Sequence, residues 1–159
     1  MRIRLSSDDA LSNGITIAKT RGTLSEATGI QTNDFIGHIK FRARIQSEGQ
    51  YLSEINSQYI GNGTTRYADI IFKTASGSEP TEKVRISDKG TGFGITIPEA
   101  RIHIQSGDTS VAPLKFTSGS LLSSPQIGVV EFVNDAFYGT ITTGTARKTF
   151  AFLESPQFT

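Results

Sequence analysis

The chain has no cysteine, no tryptophan, one methionine and five prolines in 159 residues. Without cysteine there is neither a disulfide framework nor a thiolate metal site, so packing within or between chains must hold the fold. Without tryptophan, and with 36% hydrophobic residues, a core has to be built from Ile, Leu, Val and the ten Phe residues. An excess of charge is also missing: 16 Lys plus Arg stand against 15 Asp plus Glu. That balance gives no general attraction to nucleic acid or to an anionic membrane. No apolar run approaches the roughly 20 residues that cross a bilayer, and the opening Met1-Arg2-Ile3-Arg4-Leu5 lacks the apolar core of an export signal. A soluble chain with no membrane insertion is expected.

Catalytic settings are scarce as well. Gly-x-Ser-x-Gly is absent, and the many serines fall in turn-like stretches. His38 and His103 sit at outward strand positions with no third ligand at a metal-site spacing. Among Asp34, Glu54, Asp69, Glu79, Glu82, Asp88, Glu131 and Asp135, no spacing singles out two carboxylates for glycoside hydrolysis. Gly90-Thr91-Gly92-Phe93-Gly94 is superficially like a phosphate loop, but strand-like Ile95-Thr96-Ile97-Pro98 follows it instead of a helix. Asn62-Gly63-Thr64 fits a glycosylation triplet that is expected to go unused. Neither an enzyme nor a metal or cofactor site is expected.

What the chain does have is a repeated triplet, a charged or polar residue between two large apolar ones: Ile39-Lys40-Phe41, Val84-Arg85-Ile86, Ile102-His103-Ile104, Leu114-Lys115-Phe116 and Val130-Glu131-Phe132. Alternate side chains of a strand point to opposite faces, so each triplet should bury its outer pair and leave its centre near solvent. The period predicts strands at 35–46, 50–60, 67–73, 83–87, 101–105, 113–117, 128–133, 137–142 and 147–153, after a weak hairpin at the start and an irregular passage over 19–34. Turn signals such as Gly61-Asn62-Gly63-Thr64 and Asn134-Asp135 separate them. The fold class is all-β, with expected divisions 1–34, an extended or hairpin attachment segment, 35–97, a fibre module, and 98–159, a C-terminal β-rich module. Gly90, Gly92 and Gly94 leave one face of their segment without side chains, which permits close backbone approach. Lys40, Arg42 and Arg44 form a basic row that either faces solvent, pairs with acids of another subunit, or binds an anionic surface such as a phosphorylated glycan.

The order of several passages resembles bacteriophage tail fibres and related virion fibre proteins. Glu82-Lys83-Val84-Arg85-Ile86-Ser87-Asp88-Lys89-Gly90-Thr91-Gly92-Phe93-Gly94-Ile95 is similar to that family's strand, glycine turn and Gly-Ile-Gly-Thr step, although Gly94-Ile95-Thr96-Ile97 loses a glycine. Pro98-Glu99-Ala100-Arg101-Ile102-His103-Ile104 resembles the strand that follows in the family. Ala112-Pro113-Leu114-Lys115-Phe116, Gly128-Val129-Val130-Glu131-Phe132 and Arg147-Lys148-Thr149-Phe150 are similar to later blocks, and Arg21-Gly22-Thr23 and Gly37-His38-Ile39-Lys40-Phe41-Arg42 to earlier ones. The resemblance covers about 20–153. It implies a non-enzymatic virion component, made in the host cytoplasm, in which three chains intertwine as a parallel homotrimer.

On that basis the expected trimer core is Ile39, Phe41, Ile70, Phe72, Val84, Ile86, Ile102, Ile104, Leu114, Phe116, Val130 and Phe132. Expected partners are two further copies, other phage structural proteins of tail, baseplate or capsid, and a host surface glycan, with no nucleic acid. The expectation is a stubby fibre or spike aiding host attachment, without the self-cleaving chaperone of longer fibres. A capsid decoration protein and a monomeric glycan-binding module are the alternatives.

Overall fold

A computed structural model describes residues 15–23, 25–141 and 146–150, and the chain divides into two compact units, 1–107 and 108–159. Every regular element among the described residues is a strand. In the first unit these are β1 (Arg21–Gly22), β2 (Ala27–Thr28), β3 (Phe35–Ile45), β4 (Glu48–Tyr59), β5 (Ala68–Thr74), β6 (Thr81–Ile86), β7 (Thr91–Phe93) and β8 (Ile102–Ile104). β1 and β2 form a two-stranded ladder, and the rest make one six-stranded sheet in chain order, β3-β4-β5-β6-β7-β8. All its pairings are antiparallel except β7–β8, which is parallel.

Alternation sorts the side chains of this sheet as the sequence predicts. One cross-strand row runs Ile39, Ile55, Phe72, Val84, Phe93, Ile104, a large apolar residue on every strand. The next row on that face carries Ile70, Ile86, Thr91 and Ile102. A row of the opposite face runs His38, Asn56, Ile71, Arg85, Gly92, His103. Within one chain, however, burial falls mostly on the polar face, with Tyr59 at the end of β4 the exception on the other. Ile71 is 1% exposed and Asn56 and Asp69 are buried, while Ile39 and Phe41 are each 53% exposed. The centre Arg85, with a side chain 11% exposed, is thus better covered than its flank Ile86 at 43%, because covering the flanks takes a second layer that the described residues of the unit do not provide.

β3 and β4 run on beyond β5, which pairs with β4 only from Ser53 to Tyr59. Residues 41–52 therefore form a two-stranded arm, nearly all of it exposed, closed by a two-residue loop at Gln46 and Ser47. Gln46 has φ 56°, the positive value that tight hairpin turns demand. Loop 60–67 is held from within: the Tyr59 hydroxyl donates to the Thr65 carbonyl at 2.8 Å and accepts from the Gly63 amide at 2.8 Å. The Asn62 side-chain oxygen accepts from the Thr64 and Thr65 amides, so the glycosylation triplet serves as turn chemistry.

The three expected glycines have separate uses. A Cβ on Gly90 would strike the backbone of Ala100 and Arg101, and one on Gly92 would strike Ile95 and Pro98. Both make room for the chain's own β7–β8 crossover. Gly94 sits at φ 71°, in the left-handed region.

The second unit contains β9 (Val130–Val133), β10 (Ala136–Thr140) and β11 (Arg147–Thr149), an antiparallel sheet in the order β11-β10-β9. Asn134 and Asp135, at φ 47° and 66°, form the two-residue turn that joins β9 to β10. Phe137 stands opposite Phe132 and gathers Phe116, Phe132 and Phe150, with ring centroids at 5.4, 4.7 and 6.3 Å.

Three expectations need correction. The stretch 113–117 is no strand, because Leu114 has no ladder partner and Phe116 serves as a ring set edge-on to Phe137. The chain divides after Gly107 and not at 97, because Ile102–Ile104 joins the first sheet beside β7. Residues 15–34 belong to the first unit too, where the Asn33 amide bonds to the Tyr59 carbonyl at 2.8 Å. The opening hairpin and the end of the 147–153 strand lie outside the described residues, and 15–20 form no strand.

Replacing Gly90 by Ala should cost about 2 kcal/mol, since the added carbon must displace backbone. Urea unfolding of G90A against the parent chain measures it.

Candidate interaction surface

The largest coherent feature of the first unit is its apolar sheet face. β-Branched and aromatic residues at alternate positions make the strands, and the same alternation leaves Ile39, Phe41, Ile70, Phe72, Ile86, Phe93 and Ile102 at least 36% exposed. Together these side chains offer on the order of 700 Å², beyond the largest apolar patch of about 300–600 Å² on a typical monomer. Of the expected core residues, the sheet brings Ile39, Phe41, Ile70, Phe72, Val84, Ile86, Ile102 and Ile104 onto this one face. Leu114, Phe116, Val130 and Phe132 belong to the second unit, where Phe116 and Phe132 pack around Phe137 while Leu114 and Val130 are exposed. Ile55 and Phe93 complete the apolar row and were not anticipated. The alternation of Phe93 with Gly92 and Gly94 was the signal for the second of them.

The opposite face is tied together by ions. Arg85 donates to Glu82 at 2.8 and 2.7 Å and to Asp69 at 2.7 Å, and its side chain is only 11% exposed. The bonds to Glu82, followed by those to Asp69, outweigh desolvation and raise the guanidinium above its ordinary pKa. Glu54 accepts from Asn56 at 2.9 Å and lies 2.9 Å from Lys73 and 3.7 Å from Lys40. Burial works to raise its carboxyl, but the Lys73 and Asn56 bonds and the two ammonium charges leave it below the ordinary value. Asp34 takes both arms of the Arg21 guanidinium at 2.7 and 2.6 Å, which with the Gln31 amide holds its carboxyl far down.

In the second unit Glu131 plays the same part. It accepts from the Leu122 amide at 2.6 Å and from Arg147 at 2.7 Å, and these two bonds, in that order, lower its carboxyl. Arg147 also donates to the Leu122 carbonyl at 2.7 Å, which clamps that connection to the sheet.

Five of the candidate carboxylates, Asp34, Glu54, Asp69, Glu82 and Glu131, are thus engaged by cations. His38 and His103 occupy the two ends of one cross-strand row, on β3 and β8, about 24 Å apart at strand spacing. They cannot share a metal ion. Lys40, Arg42 and Arg44 share the ion-bearing face of β3. Lys40 and Arg42 lie over the Tyr51 ring at 4.7 and 5.5 Å, and Arg42 donates to the Gly49 carbonyl at 3.2 Å.

No family model matches this chain, and no curated protein matches it.

Acidification should expose the ion pairs. Asp34, Glu54 and Glu131 all titrate below their ordinary values of 3.8 or 4.5, so as pH falls the unfolded chain takes up protons first. The stability they contribute is whole above about pH 5 and drains as pH drops through the folded values. Calorimetry between pH 5 and pH 3 should show a falling melting midpoint, with a shallower fall in Glu131→Gln.

Proposed function

We propose that this chain is a non-enzymatic structural component of a bacteriophage virion, a tail fibre or spike module that assembles as a homotrimer through its apolar sheet face and contributes to host attachment. The observation that carries the assembly is that face. Its exposed area is close to the roughly 800 Å² that one partner contributes to a standard interface. Further copies of the chain are the occupants that fit it, because a closed ring of identical subunits covers each copy's face without leaving one uncovered. The virion assignment rests on the ordered resemblance of 20–153 to fibre proteins.

The mechanism is mechanical and multivalent. Three copies fixed to one rigid body act at high effective concentration, so weak sites on each add up to firm adhesion. No bond is made or broken. Capsid decoration would use the same assembly at another place on the particle, and immunolabelling of virions separates tail from shell.

Light scattering should give three times the 17.2 kDa chain mass. Ile39→Asp and Phe72→Asp should give folded monomers, because each places an unpaired charge in the interface while the free chain leaves these positions exposed. A monomeric parent chain, or a stable trimer of both variants, would sink the assembly; circular dichroism checks that the variants keep their strands.

A further inference from the structure

Charge is unevenly spread over the ion-bearing face of the first unit. Lys40 and Lys73 flank one carboxylate, Glu54, and Arg42 and Arg44 follow Lys40 along β3, while Asp34, which Lys19 approaches at 3.5 Å, is already gripped by Arg21. Arg42 meets only the Gly49 carbonyl and the Tyr51 ring, and Arg44 meets no carboxylate among the described residues. Positive side chains thus outnumber free carboxylates along this part of β3. An open cleft of about 630 Å³ lies at its root, bordered by Lys19, Phe35, His38, Lys40, Glu54 and Lys73. Same-face residues of a strand stand about 7 Å apart, so Lys40, Arg42 and Arg44 make a row that leads from the cleft along the β3–β4 arm, across a register shift between Phe41 and Arg42.

We propose that this cleft and row bind a linear anionic polysaccharide, one that bears sulfate, phosphate or carboxylate groups at intervals along its length. Arg42 and Arg44 grip acid groups through the paired N–H fork of the guanidinium, and Lys40 and Lys73 act as point charges at the cleft. A single-stranded nucleic acid is the poorer fit, because such sites offer free aromatic faces for bases to stack on. Here cations already stand over the nearby rings, Lys40 and Arg42 over Tyr51 and Lys73 at 5.3 Å over Phe35, although the two residues keep 40% and 42% exposure. Each contact is exposed and weak alone. Strength comes from repetition along the polymer and from the several copies of the assembly; for this last gain the inference rests on the reading above.

Titration calorimetry of the full chain with dextran sulfate, neutral dextran and a single-stranded oligodeoxynucleotide tests the proposal, with light scattering run on the same samples. Expected are binding to dextran sulfate that weakens from 50 to 300 mM salt, none to neutral dextran, and about a tenfold loss for each arginine removed in Arg42→Gln and Arg44→Gln. Arg42→Lys/Arg44→Lys should fall between the parent and the double Gln variant. Unchanged affinity in the double Gln variant, equal binding of neutral dextran, or tighter binding of the oligonucleotide than of the glycan would each overturn it. The two readings fail separately: arginine-dependent binding by a monomer removes the assembly and keeps this site, and a trimer indifferent to the arginines does the reverse.

Discussion

A sheet with one apolar face has to lay that face against something dry, and the first unit is arranged around this demand. Its row of Ile39, Ile55, Phe72, Val84, Phe93 and Ile104 crosses every strand of the sheet. Most small domains answer with a second layer from the same chain, a helix or another sheet. The described part of this unit has neither, so its core is half built there, and in the reading proposed above further copies of the chain supply the other half. The interior of such an assembly would be made of residues that a single chain leaves wet.

The opposite face compensates by chemistry of another kind. Arg85 reaches Asp69 on β5 and Glu82 on its own strand, with the Gln58 side chain of β4 at 3.4 Å, so one guanidinium bridges three strands. Glu54 performs the same service between Lys40 of β3 and Lys73 of β5. These bridges hold neighbouring strands in register where no packed layer does so. Such pairs contribute little when solvated, but replacing one member leaves the rest without a partner in a half-buried place, which costs more than the pair contributes. Toward the arm the acids run out, and the face changes from self-paired to basic within one strand.

Much of this sheet could be read from period-2 alternation. β3, β5 and β6 follow the pattern closely, and the eight expected core residues of the first unit do share a face. Alternation assigns residues to faces, however, and says nothing about which face its own chain will cover. That is why Arg85 lies half buried while Ile39 stands open. Two further features escaped for local reasons. Leu114 and Phe116 alternate as a strand would, yet ring packing on Phe137 claims Phe116, and the flanking Asp108 accepts from the Ser110 and Val111 amides to fold a turn. The place of β8 depends on a parallel crossover, which leaves its trace in Gly90 and Gly92 and not in any periodicity of Ile102–Ile104 itself. The basic row of β3 was legible, but Lys19 and Lys73 join it only through folding.

The strands of the larger sheet stand side by side in the order in which they are synthesised. Every pairing joins neighbours in the chain, so loop closure is cheap at each step and the sheet can zip from hairpin to hairpin, with only β8 waiting for its crossover. Pairing between chain neighbours of this kind favours fast folding. On the proposed reading, covering the apolar face is instead a collision between molecules, with a rate that scales with concentration. On that reading a newly made chain passes through an interval in which its sheet is complete and its sticky side is bare. The length of that interval would be set by abundance: dilution lengthens the wait, and with it the exposure of the bare face to proteolysis.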